Sequence, residues 1–146
     1  MGSQREYIAL GGFSTYLYKQ DGDTIIASNG VEGKVVEKIE GTAYDGLPLF
    51  SNTSEVYLKK NGKGEIVQAR IYNGRKPVCD FDWDHEHQNK TGEKFDKGVV
   101  HVQSFKQMSD GSWKRLDKKA RYMSDQEIAR YGELIKLVNP NAKLRP

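Results

Sequence analysis

The sequence predicts an α+β fold: an antiparallel β-sheet meander with one C-terminal helix packed on it. Three observations predict it. Apolar residues recur mostly at every second position along the chain, the period of a half-buried strand. The breaks between these runs carry Asp-Gly, Asn-Gly and Ser-Asp-Gly-Ser, which is hairpin-turn chemistry. Only the last stretch has a helical period, and Asn139-Pro140 closes it. At 146 residues the chain has the length of one domain and can bury a real core.

The elements follow in chain order. "FSTYLYKQDGDTIIAS" (13–28) reads as two strands around an Asp21-Gly22-Asp23 turn, and "GKVVEKIE" (33–40) as a further strand. "GTAYDGLPLFSNTS" (41–54), rich in Gly, Ser and Thr, reads as a loop. In "EVYLKKNGKGEIVQARIYNGRKPVCDFDWD" (55–84), Asn61-Gly62 joins two strands and Asn73-Gly74 begins the turn to a third. "GVVHVQSFKQ", the turn "SDGS" and "WKRLDKKARYM" complete the meander. The helix lies in "MSDQEIARYGELIKLVNP" (123–140). Ser124 and Glu127 have capping-box spacing, Met123 and Ile128 that of a hydrophobic staple. Ile128, Tyr131, Ile135 and Val138 recur on one helical face, with Leu134 beside them.

Composition narrows the function classes. A single cysteine, Cys79, excludes an intramolecular disulfide framework and a cysteine-based zinc cluster. It fits a reducing compartment, so the expected location is cytoplasmic, or the cytoplasm of a cell into which the chain is delivered. No run of about 18 apolar residues exists to span a membrane. The opening Met1-Gly2-Ser3-Gln4-Arg5, with a short apolar patch broken at Gly11-Gly12, does not read as a signal peptide. The net charge of +3 is unevenly spread. Residues 1–58, a β-rich N-terminal part of the single domain, carry four Lys/Arg against eight Asp/Glu. Residues 59–146 carry nineteen against twelve, a basic surface suited to phosphate backbones or simply to solubility.

The chemistry concentrates in "VCDFDWDHEHQNKTGEKFDKGVVHV" (78–102), which holds all three histidines, the cysteine and six of the twenty acidic residues. Alternate strand residues share a face. Cys79, Phe81 and Trp83 then face the core, Cys79 as a small buried hydrophobe, while Asp80, Asp82 and Asp84 line the opposite face about 6–7 Å apart. Val100 and Val102 suit the core, which turns His101 and Gln103 the other way. Pairing of the two strands would bring His101 near the aspartates.

Several chemistries compete for this pattern. Asp80-x-Asp82-x-Asp84 opens like a calcium loop, but His85 and Thr91 stand where such a loop needs Gly and Glu. His85-x-His87 with His101 and an aspartate offers imidazole and carboxylate to zinc or another transition metal, so a divalent metal is an open alternative, although no cofactor is required and no metal ligand is assigned. Metal-independent RNA cleavage needs a base for the 2′-hydroxyl proton, an acid for the leaving oxygen and cations for the phosphate. Histidine, with an unperturbed pKa of about 6.5, suits both proton roles. His101, held inside a strand, is the first choice, with His85 or His87 complementary and Asp80 or Asp82 orienting. Arg70, Arg75, Lys76, Lys114 and Arg115 are the candidate phosphate-binding residues. Against these stands a binding module, an accessory domain or inhibitor acting on a partner protein through a charged strand face.

Across residues 66–132, "ARIYNGRKPVCDFDWDHEH…GVVHVQSF…ARYMSDQEIARYG" resembles C-terminal domains of bacterial polymorphic toxins and related phage-encoded proteins. Their pattern runs RIY-x-x-GRP-x-x-DID, a histidine-containing turn, a strand with HVH or HVQ, and a short closing helix. This chain has "GRKPV" for GRPV and "HEHQNKTGEKFDKG" for a longer histidine- and proline-rich turn. The resemblance implies a nuclease-like toxin domain cleaving RNA, with Arg70, Asp80, Asp82, His85, His87 and His101 at the matching positions. It also implies nucleic acid and a cognate immunity or host protein as partners.

Overall fold

The computed structural model of the chain describes residues 7–9, 16–39 and 46–146. Twelve strands and one helix lie among them. In chain order these are β1 (Tyr7–Ala9), β2 (Tyr16–Gln20), β3 (Ile25–Ile26), β4 (Glu32–Lys38), β5 (Val56–Lys60), β6 (Ile66–Asn73), β7 (Lys76–Asp82), β8 (His87–Gln88), β9 (Lys94–Phe95), β10 (His101–Gln107), β11 (Trp113–Arg115), β12 (Arg121–Tyr122) and α1 (Asp125–Val138). The main sheet runs β1-β2-β4-β5-β6-β7-β10-β11, with β3 added to β4 and β12 to β10. β8 and β9 form a ribbon of their own.

The α+β class holds, with an antiparallel-dominated sheet and the helix at its C-terminal end. The expected meander departs from the structure in two places. β4 and β5 pair in parallel, Gly33 opposite Val56 and Val35 opposite Leu58. β2 and β3 do not pair with each other across Asp21-Gly22-Asp23; both run antiparallel to β4, with Gln20 opposite Val36 and Ile25 opposite Gly33. The tight connection is instead β3 to β4, closed by the Ala27 amide donating to the Val31 carbonyl. Residues 13–15 of the first expected strand, residue 40 at the end of the strand expected over 33–40, and residues 41–45 of the expected loop lie outside the described residues. The β6–β7 turn is made by Gly74 and Arg75, both at positive φ (57° and 71°), the backbone that a two-residue hairpin requires.

One face of the sheet supports α1. Val35, Val56, Leu58, Ile71, Cys79, Phe81 and Val102 pack with Leu134 and Ile135, and Ile128, Tyr131 and Val138 complete the helical stripe. Gly33 sets the closest approach, because a Cβ there would stand 2.8 Å from Leu58 Cδ1 and 3.0 Å from Leu134 Cδ2. The helix starts where its local code says. The Glu127 amide donates to Ser124 Oγ and the Ser124 amide to Glu127 Oε1, and Met123 is buried in the core beneath.

The other face is covered too. Tyr18, Val36, Leu47, Tyr57 and Tyr72 form a second buried cluster there. Residues 66–72 are consequently buried without alternation, and so are 79–83. Parity correctly separates Cys79 and Phe81 from Asp80 and Asp82, but the aspartate face is interior rather than solvated: Asp80 is 0% and Asp82 7% exposed. Asp84 lies past the end of β7 and is exposed.

Candidate functional site

Two registered rows of polar side chains cross the face of the sheet away from α1. In the first, Tyr57, Arg70, Asp80 and Gln103 stand opposite one another on β5, β6, β7 and β10. In the second, Gln68, Asp82, His101 and Tyr122 do so on β6, β7, β10 and β12.

The first row is a clamp. Arg70 Nε donates to Asp80 Oδ1 (2.6 Å) and its Nη2 to Oδ2 (2.9 Å), the bidentate geometry of a planar guanidinium on a carboxylate. Gln68 Nε2 and Arg115 Nη1 also donate to Oδ2, at 3.0 and 2.8 Å. Arg70 Nη1 is taken by the Leu47 carbonyl (2.7 Å), and its guanidinium lies 4.8 Å from the Phe105 ring centre. Burial opposes the charge on Arg70, yet the hydrogen bonds and charge of Asp80 outweigh it and raise the guanidinium pKa.

The second row carries the histidine cluster. His101 is fully buried at the start of β10, and neither ring nitrogen makes a hydrogen bond of ordinary geometry, the Val99 backbone acting on the ring only weakly against its burial. His87 stacks on it nearly parallel, ring centres 5.1 Å apart and planes 15° apart, with its own Nε2 buried and unpartnered. His85 meets His101 edge-on at 5.6 Å, and its Nδ1 lies 3.6 Å from Asp82 Oδ1. Phe95, 5.9 Å from His101 and 4.9 Å from Tyr122, walls the remaining side. One donor atom from each of Asp82, His85 and His101 lies within 4.8 Å of the other two. Burial, and then the neighbouring His87 and His85, push the His101 pKa down to about 4, so its imidazole is neutral at pH 7. Burial likewise raises the Asp82 carboxyl, while the Asp84 amide hydrogen bond and His85 pull it the other way.

The excursion between β7 and β10 builds this site. Gly98 N donates to the Trp83 carbonyl (2.9 Å), so the chain leaves and returns at one point. Between them the β8–β9 ribbon folds back over the sheet, turning through Asn89 and Gly92, whose φ is 104°. Asn89 fixes it in place: its Nδ2 donates to the Ala120 carbonyl and its Oδ1 accepts from the Ala120 amide, both at 2.7 Å. His87 and Phe95, opposite each other in the ribbon, are thereby held on His101. Beside them Glu86, His87, Gln88, Lys94, Phe95 and Asp96 line an open hollow of about 340 Å³.

Of the residues expected to carry the chemistry, His85, His87, His101 and Asp82 come together, and Asp80 is committed to the arginines. The expected cations do not gather around them. Arg70 is interior. Arg75 donates to the Ser51 carbonyl (2.8 Å) at the β6–β7 turn, and Lys76 begins β7 about 20 Å by strand rise from Asp82. Lys114 is exposed on β11 opposite Lys106. Arg115, like Arg70, bonds the interior Asp80, and it also bonds the exposed Asp117. Exposed lysines adjoin residues of this region in sequence: Lys94 precedes Phe95, and Lys118 and Lys119 precede the gripped Ala120. Sequence reasoning missed Asn89 and Phe95. An Asn-x-x-Gly turn followed by one aromatic in a polar run was their only sign.

Scans of the chain against protein-family models, curated proteins and solved structures return no match.

Proposed function

We propose that this chain is a small RNA-cleaving hydrolase domain of the toxin type, with His85, His87, His101 and Asp82 as its reacting centre. The observation that carries the reading is their convergence: three histidines from the β7–β8 turn, β8 and β10 meet one aspartate, and buried imidazole nitrogens there make no hydrogen bond of ordinary geometry. Buried polar atoms are seldom left unsatisfied without a functional reason.

In this reading the roles differ from those expected of the sequence. His101, with no exposed surface, is a positioning residue. The His85 side chain, 60% exposed beside Asp82, is the group that meets substrate. In the reaction the ribose 2′-oxygen attacks the adjacent phosphorus and gives up its proton, while the 5′-oxygen leaves and takes one, yielding a 2′,3′-cyclic phosphate and a 5′-hydroxyl. Lys94, Lys118 and Lys119 are the phosphate-facing cations in this reading, and a target-cell cytoplasm and a cognate immunity protein are its natural setting. A module docking through an acidic strand face is less well supported, because Asp80 and Asp82 are interior.

The test is incubation of the purified chain with labelled single-stranded RNA, tRNA and single-stranded DNA, beside His85→Ala and a Lys118→Glu/Lys119→Glu double variant. RNA cleavage that falls at least about 100-fold in folded His85→Ala is expected, the usual scale of a lost proton-transfer group. Absence of cleavage on every substrate, or cleavage indifferent to His85→Ala, overturns the proposal.

A further inference from the structure

We infer that Asp82, His85 and His101 form a binding site for a divalent first-row transition metal ion of the zinc class. This stands apart from the nuclease reading, since a His85 imidazole bound to the ion is not then the proton-transfer group, and binding is measured without substrate.

Three observations carry it. The donor set, two imidazoles and one carboxylate, is that of catalytic zinc sites and of other three-ligand sites that leave positions open. The donor atoms lie within 4.8 Å of one another, and the His85–Asp82 pair at 3.6 Å already approaches the spacing of two ligands on one ion with bonds of about 2.0–2.2 Å. The His101 ring nitrogens are buried and make no hydrogen bond of ordinary geometry. A metal held by Asp82, His85 and His101 supplies a partner for the buried His101 imidazole.

The surroundings suit such an ion. His101 and Asp82 sit opposite each other on paired strands, so two ligands are fixed by the sheet ladder. His85 is exposed in the turn after β7, free to close the remaining distance and to leave an open position toward solvent. Arg70 and Arg115 keep Asp80 engaged, so a single carboxylate remains for the metal. That excludes magnesium and calcium, which require mostly oxygen ligands.

The experiment is calorimetric titration of the full chain, stripped with EDTA and desalted, with Zn²⁺ at neutral pH. Co²⁺ absorbance reports imidazole ligation and Mg²⁺ serves as the control. One Zn²⁺ per chain at about micromolar affinity or tighter is expected. It should weaken at least about 100-fold in His85→Ala, whose exposed side chain the fold does not need, and in Asp82→Asn. His101→Ala, checked for folding by circular dichroism, should behave likewise. No Zn²⁺ uptake, uptake unchanged in His85→Ala and Asp82→Asn, or equal affinity for Mg²⁺ overturns the site. Zn²⁺ uptake without RNA cleavage keeps the metal site and removes the nuclease. Cleavage by a stripped chain that takes up no Zn²⁺ does the reverse.

Discussion

Asp80 and His101 are both buried polar residues on the same face, yet their surroundings are opposites. Asp80 accepts two bonds from Arg70 and one each from Gln68 and Arg115, whereas His101 makes none of ordinary geometry at either nitrogen. The first is a structural ion pair, and removing one partner strands the other charge. Asp80→Ala is expected to cost about 3–5 kcal/mol in urea unfolding, and a loss below about 1 kcal/mol would mean that the clamp does not hold the sheet. His101 gives a pH prediction for the metal-free chain. Its pKa, about 4 folded against 6.5 unfolded, means the unfolded chain binds the proton first. The stability tied to its neutral form is complete above pH 6.5 and is lost as pH falls to about 4, with a total of about 3 kcal/mol. Asp82, raised by burial, acts with the opposite sign and offsets part of this. Chemical denaturation at pH 7 and pH 4.5 checks the slope, and His101→Gln should flatten it. Parity and the guess that two strands pair were enough to read the nearness of His101 to Asp82. The Arg70–Asp80 pair was not readable, because it depends on a register across the β6–β7 turn that no single strand reveals.

Among elements, the β8–β9 ribbon places His87 and Phe95 over His101. It is two residues per strand, too short to stand alone, and Asn89 anchors it to Ala120 thirty-one residues away. Asn89→Ala leaves the Ala120 amide and carbonyl without those partners. Faster amide hydrogen exchange in residues 87–95 and 118–122, with the rest of the sheet unchanged, is the expected result; uniform protection would show that the ribbon is held otherwise. The helix differs because its start is written locally. Ser124→Ala should cost about 1 kcal/mol of global stability. That contrast explains what was legible. Capping box, staple and apolar stripe were all within one short stretch, and α1 was read correctly from them. β2 and β3 were read as strands but given each other as partners, since both choose β4, whose residues opposite β2 lie 16 to 20 positions further along the chain.

At the scale of the molecule, the sheet is buried on two sides, by α1 on one and by the tyrosine cluster and the ribbon on the other. Alternation of apolar and polar residues therefore misread interior carboxylates as a solvated face. The helix side has its own stress point at Gly33. Gly33→Val drives a side chain into Leu58 and Leu134 and is expected to destabilise the chain by about 1–3 kcal/mol in thermal or denaturant unfolding. The cluster, on the opposite face, should keep its metal affinity in that variant as long as the chain stays folded.

The tail beyond the helix has a consequence for timing. Lys143 accepts from the Val100 amide and donates to the Gly98 carbonyl, each at 2.8 Å, beside the fully buried His101. Translation delivers His101 more than forty residues before the backbone that steadies it. A ribosome-bound chain halted ahead of Lys143 holds every histidine of the cluster and lacks the bridge to residues 98–100, the stretch that leads into β10.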